Sequence, residues 1–290
     1  MTDVLLRLLL NVTLGLALAL ALRHPVRRAF GAGPAFALWL LPLALAAAPL
    51  LPRRLAASTV AVRLPVITIT PHLGATVHGG AAFDWALLLV ALWAAGAAFA
   101  CGRLAWRYAR LRVGVRDGSA RWTAAVSGAA PGVDTRRLRM HAEGPAVLAA
   151  WPRSLLLLPA DFAQRFGNAA TRELVLRHEL AHLHRGDAWW SLAMEAVSAL
   201  LWFHPLAWLA RPCFRLDQEL ACDAAALRSA PQHTARYARA LLDSVAVQPV
   251  PALIPWLAEP QLKARIAMLA RRMPGALRRR VGAAVIVVLL

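Results

Sequence analysis

Three apolar runs, at 4–22, 34–51 and 84–104, constrain this chain more than any other feature of it. About 20 helical residues, rising 1.5 Å each, cover a hydrocarbon core of about 30 Å, and no water is there to satisfy backbone left outside a helix. Each run is therefore expected to be a transmembrane helix, the second kinked by Pro42 and Pro49. A cleaved signal peptide is the competing reading of 4–22, but the run is long and no small-x-small cleavage site follows it. Arg23, Arg27 and Arg28 follow the first run, and Arg103, Arg107, Arg110 and Arg112 close the third. The positive-inside rule then puts the first loop and everything after Arg103 in the cytoplasm, and the 52–83 loop outside. Arg53, Arg54 and Arg63 count against that orientation. The net charge of +18 is almost all arginine. Because it flanks apolar runs and no nucleic-acid-binding motif accompanies it, the partner it implies is a lipid bilayer. Cys101, Cys213 and Cys222 are scattered and odd in number, which excludes a disulfide framework.

From 111 to 275 the chain reads as a cytoplasmic α+β domain. Short strands are expected at 138–141, 146–149 and 155–158, and a helix over 169–185 between an Asn168 cap and Gly186. That helix carries His178-Glu179-Leu180-Ala181-His182. Residues four apart share a helix face, so His178 and His182 can present two imidazoles to one zinc ion. Glu179 lies one residue round, where the general base for a zinc-bound water must sit. Random placement of this chain's His and Glu would give the pattern about 0.006 times, so chance is a poor account of it.

Two histidines leave zinc one protein ligand short. Glu219, on a helix expected over 214–227, is the leading third ligand, with Asp223 one turn later as acceptor for a ligand imidazole N–H. Glu195 is the rival. The Trp-rich stretch 188–210 is long enough to span a membrane, but one crossing would put Glu219 across the bilayer from the histidines. It is read instead as two packed helical pieces joined at His204-Pro205. His204, His233 and Tyr237 are candidates to polarise a peptide carbonyl, each weighed against a structural role. After a linker at 249–255, a helix over 256–273 is expected to break near Pro260. Residues 281–290 are too few to cross a bilayer, so 276–290 reads as a partial or short fourth transmembrane segment.

The run from Arg177 to Asp187 resembles the signature of the BlaR/MecR-type antirepressor membrane metallopeptidases. Trp202 to Trp208 is similar to that family's WFNP segment, with His204 at the usual Asn. Glu219-Leu220-Ala221-Cys222-Asp223 matches its ELACD element. The resemblance implies a mainly α membrane protein with three N-terminal transmembrane helices (1–110). A cytoplasmic α+β gluzincin-like zinc metallopeptidase domain (111–275) and a short fourth segment (276–290) would follow. It implies zinc on His178, His182 and Glu219, Glu179 as base and Asp223 in support. The expected function is a bacterial inner-membrane zinc endopeptidase that cleaves itself or a cytoplasmic repressor in signal transduction. Residues 271–280 offer an accessible self-cleavage tether, and a substrate strand is expected beside 155–158. Two alternatives remain: a general or prenyl-protein-type membrane protease, and a non-catalytic transducer with a structural zinc. The chain stops before the penicillin-binding domain of the beta-lactam-sensing members, and Lys263, with Pro260 three residues before it, forms no S-x-x-K motif. Acylation by a beta-lactam is therefore not expected.

Overall fold

The computed structural model describes residues 2–50, 85–129, 133–142, 145–228, 231–247, 255–271 and 274–290. The 52–83 loop, with the edge strand expected near Val60–Val66, and most of the 249–255 linker lie outside the described residues. Among the described residues, two helices are long and apolar enough to cross a membrane, Leu6–Phe30 within α1 (Thr2–Phe30) and Leu87–Val113 within α4 (Trp85–Val113). Both outrun the apolar cores read from sequence, because their arginine-bearing ends continue the same helix.

The second apolar run is not one helix. It folds as α2 (Ala32–Ala37) and α3 (Leu41–Ala47), with 3-10 turns at Leu38–Leu40 and Ala48–Leu50. Pro34, Pro42 and Pro49 each lack an N–H, so the i→i−4 ladder cannot run unbroken through them. Gly31, at φ 97, reverses the chain after α1 and lays this broken segment back along it. Leu38, Trp39 and Leu41 are buried there rather than turned outward.

α4, by contrast, exposes Leu87, Leu89 and Leu92, the all-round apolar surface that suits lipid. Trp93 Nε1 donates to the Leu200 carbonyl at 3.0 Å, and Trp202 Nε1 to the Trp93 carbonyl at 3.3 Å. Gly96 makes this approach possible, since a Cβ there would stand 2.3 Å from the Trp202 ring. Gly96→Ala is therefore expected to destabilise the chain by about 1–3 kcal/mol through overpacking. Gly102→Ala on the same helix meets nothing within 4 Å and should be neutral or mildly stabilising. Thermal unfolding of both variants in detergent checks the contrast.

After α5 (Ala120–Ala129) come the strands β1 (Leu138–Met140), β2 (Ala146–Leu148) and β3 (Leu155–Leu158). The order is β1-β3-β2, with β1 parallel and β2 antiparallel to β3. Leu156 and Leu158 of the central strand pack with Val126, Leu138, Leu176, and with Phe162 of the single-turn α6 (Phe162–Arg165) and Phe166. That cluster seats α7 (Ala169–Arg185) against the sheet.

α8 (Asp187–Leu200) and α9 (Pro205–Leu227) form a hairpin at 201–204, so 188–210 does fold as two pieces. The second piece is longer than expected. Pro205 opens α9 at its first turn, where a missing N–H costs nothing, and the helix runs through Pro212 to Leu227. Pro212 removes one ladder bond without ending the helix, because α9 is held along its length by α1, α2, α7 and α11. α10 (Thr234–Val247) and α11 (Pro255–Leu269) follow, the latter unbroken at Pro260. Pro260, in the second turn, withholds one ladder donor without ending the helix, as Pro212 does in α9. α12 (Ala276–Leu289) packs Ile286 onto Leu38 and Leu41 and sets Gly282 against Phe30. Its 14 residues reach about 21 Å, short of a bilayer core.

Candidate metal centre

α7 begins where Asn168 accepts a hydrogen bond from the Ala170 N–H at 2.8 Å and ends where Gly186 turns left-handed at φ 68. Between these caps His178 and His182 stack one turn apart, their Nε2 atoms 3.1 Å from each other. α9 crosses beside them and brings Glu219, with Oε2 3.4 Å from His178 Nε2 and Oε1 3.6 Å from His182 Nε2. Around a tetrahedral zinc with metal–donor distances of about 2.0–2.1 Å, donor atoms stand about 3.3 Å apart. The three observed separations bracket that figure.

The protons agree with the distances. His182 Nδ1 faces Asp187 Oδ2 at 2.9 Å. His178 Nδ1 lies 2.8 Å from the Tyr237 hydroxyl, which itself donates to Asp223 Oδ1 at 2.6 Å. Each Nδ1 therefore carries a proton, and both Nε2 atoms point inward at one another and at Glu219. Three donor atoms converging this closely need a proton or a metal cation between them. Burial acts to lower the His178 pKa, yet hydrogen bonds and charge from Asp223 and Glu219 outweigh it and push it up to about 10. The cage that holds a proton so firmly also suits a metal dication.

Glu179 is buried beside the histidines and lines the same cavity of about 660 Å³. Burial raises its carboxyl pKa, with His178 and His182 pulling the other way. Burial would likewise raise Glu219, but Arg265 at 3.0 Å and the His178 hydrogen bond hold it well below the usual carboxylate range. Asp223 is buried and lowered too, burial being overcome by His178 and by the two-pronged grip of Arg265, Nε at 2.8 Å and Nη2 at 2.7 Å.

The other candidates separate cleanly. Glu195 does not reach the histidines; Arg211 and Arg215 bind its carboxylate. His204 contacts Thr13 at the far end of α9, and neither it nor His233 lines the cavity. Tyr237 stands behind His178, on the nitrogen turned away from the ligand cluster, and there orients the ring. Cys222 donates to Asp187 Oδ2 at 3.0 Å, and burial raises its thiol pKa.

Sequence reasoning missed two groups. Asp187, at the end of the signature run, is the carboxylate that orients His182; the left-handed turn at Gly186 swings it back over the ligand helix. Arg265 bridges Glu219 and Asp223 from α11, 42 residues past Asp223, with no spacing to announce it. One expectation is overturned. β3 is paired on both sides, so no strand can add beside 155–158; the edge that faces the cavity is β2.

Inward imidazoles on one helix, a carboxylate from a second and a buried acid beside them are the layout of the metallopeptidases. The family described as BlaR1 peptidase M56 matches residues 3–269, and the chain belongs to that family. Its members are membrane-associated metallopeptidases. No curated protein matches the chain.

Proposed function

We propose that this chain is a membrane-anchored zinc endopeptidase of the inner membrane that cleaves itself or a cytoplasmic regulator such as a repressor. The observation that carries the reading is the triangle of lone pairs on His178, His182 and Glu219 beside the buried Glu179 and an open cavity. His178, His182 and Glu219 would hold the zinc, whose Lewis acidity would lower the pKa of a bound water and polarise a peptide carbonyl. Glu179 takes the proton from the attacking water and returns it to the leaving amine. Asp187 and the Tyr237–Asp223 pair hold both imidazole rings by their Nδ1 atoms and fix the direction of Nε2. An extended peptide adds to the β2 edge, whose Ala146–Leu148 backbone borders the cavity.

Three N-terminal spans, the second broken by its prolines, and a cytoplasmic zinc domain fit the arginine pattern. A purely structural zinc has no use for Glu179 or for a cavity opening on it. The enclosed site of a prenyl-protein-type protease fits less well, since most of the site follows α4.

The test is mass spectrometry of the termini of the purified full chain, with and without Glu179→Gln. The zinc-loaded wild type is expected to show cuts within 271–280, which a chelator stops and added zinc restores. Identical termini in both chains would remove self-cleavage. A peptide library uncut by the zinc-loaded wild type would sink the endopeptidase reading.

A further inference from the structure

Asp217 lies two residues before Glu219, about 200° round the helix, so its carboxylate faces away from the metal-ligand side of α9. Its side chain is 0% exposed and receives four donors, two on each oxygen. Oδ2 accepts from Arg23 Nε at 2.8 Å and Trp39 Nε1 at 3.1 Å; Oδ1 accepts from Arg23 Nη2 at 3.1 Å and Arg27 Nη1 at 2.8 Å. Every donor comes from α1 or from the 3-10 turn that packs on it, and none lines the cavity. The next residue, Gln218, accepts from Ser191 and donates to the Asp187 carbonyl. Residues 217–219 thus connect the apolar hairpin, the α8 helix and the ligand cluster within about 3 Å of helix rise.

A buried ion cluster of this kind does little for net stability compared with apolar packing; its best-attested use is to fix register. Arg23 and Arg27 are one turn apart on α1, so their shared grip on one carboxylate permits a single axial setting of α1 against α9. A shift of α1 by about an ångström either breaks several of these bonds at once or carries Asp217 with it. Between Asp217 and Glu219 the chain is unbroken helix, and such a displacement passes directly to Glu219.

We propose that Asp217 is a positioning residue that ties the register of Glu219 to the membrane hairpin of α1–α3, so that displacement of those helices alters the metal site. This rests on Glu219 being a metal ligand, and the test separates the two. The full chain is reconstituted in nanodiscs, and its zinc affinity is measured by chelator competition. The visible spectrum of the cobalt-substituted chain is recorded alongside. A wild type that fails to bind one zinc overturns the metal reading, and this proposal with it. Given a zinc-binding wild type, Asp217→Asn and the pair Arg23→Gln with Arg27→Gln are each expected to weaken zinc about 10-fold or more, to perturb the cobalt bands, and to lower kcat with KM little changed. Arg27→Gln alone removes one donor of the four from the most exposed partner; it serves where the others fail to fold, and the same changes at smaller size support the proposal. Wild-type zinc affinity and cobalt bands in the folded variants, with only a lower melting temperature, would make Asp217 a mere anchor and overturn it.

Discussion

Glu179→Gln is expected to lower kcat by about 10²- to 10⁴-fold while leaving zinc content and KM nearly unchanged. The substitution keeps the volume and shape of a side chain that is 7% exposed, so the packing of α7 is undisturbed. It leaves the lone pairs of His178, His182 and Glu219 in place, because Glu179 belongs to none of the contacts among them. What it removes is a carboxylate able to accept a proton inside the cavity. Burial raises that carboxyl's pKa, and the neighbouring imidazoles oppose the rise, which favours a group that can both take a proton and give it back. Cleavage of a quenched fluorescent peptide, with metal content by mass spectrometry on the same samples, checks both halves. Cleavage at the wild-type rate by the zinc-loaded variant would remove Glu179 from the mechanism. Loss of zinc along with activity would assign it to binding instead.

The features legible in sequence are those set by local periodicity. The four-residue spacing of His178 and His182, the Asn168 and Gly186 caps and the three short strands are each fixed by residues close to one another along the chain, and all appear where expected. The hairpin at 201–204 was readable for another reason, since one shared cation forbids two of its ligands from lying on opposite sides of a bilayer. Properties that depend on tertiary closure were not readable. Length, apolarity and two prolines point to one kinked span at 34–51; that it breaks outright depends on whether neighbouring helices replace the bonds the prolines remove. The same residue type inside α9, Pro212, is absorbed because that helix is gripped on several sides. Strand order likewise has no local code, so β3 looked like a docking edge until β1 and β2 closed on both of its sides. Asp217 gave no signal at all: a single acid in a mixed helix looks solvated until two arginines from nearly 200 residues away enclose it.

Arg265→Gln is expected to destabilise the zinc-free chain by about 3–5 kcal/mol, and the zinc-loaded chain by much less. The guanidinium stands between two carboxylates, 3.0 Å from Glu219 and 2.7 Å from Asp223, with Asp223 almost wholly buried. Without a metal, the proton on His178 and the charge on Arg265 are what balance the two acids. Removing Arg265 leaves one negative charge enclosed without a partner, the situation in which breaking a buried pair costs most. A zinc dication adds positive charge on the other side of Glu219, and through His178 and Tyr237 it also favours an ionised Asp223. Zinc should therefore stabilise the variant more than it stabilises the wild type, by linkage of binding to folding. Thermal unfolding of both chains in detergent, with saturating zinc and with chelator, reads this difference directly. Equal losses with and without metal would show that Arg265 acts only as a strut between α11 and α9, and that Glu219 does not share its charge with the metal.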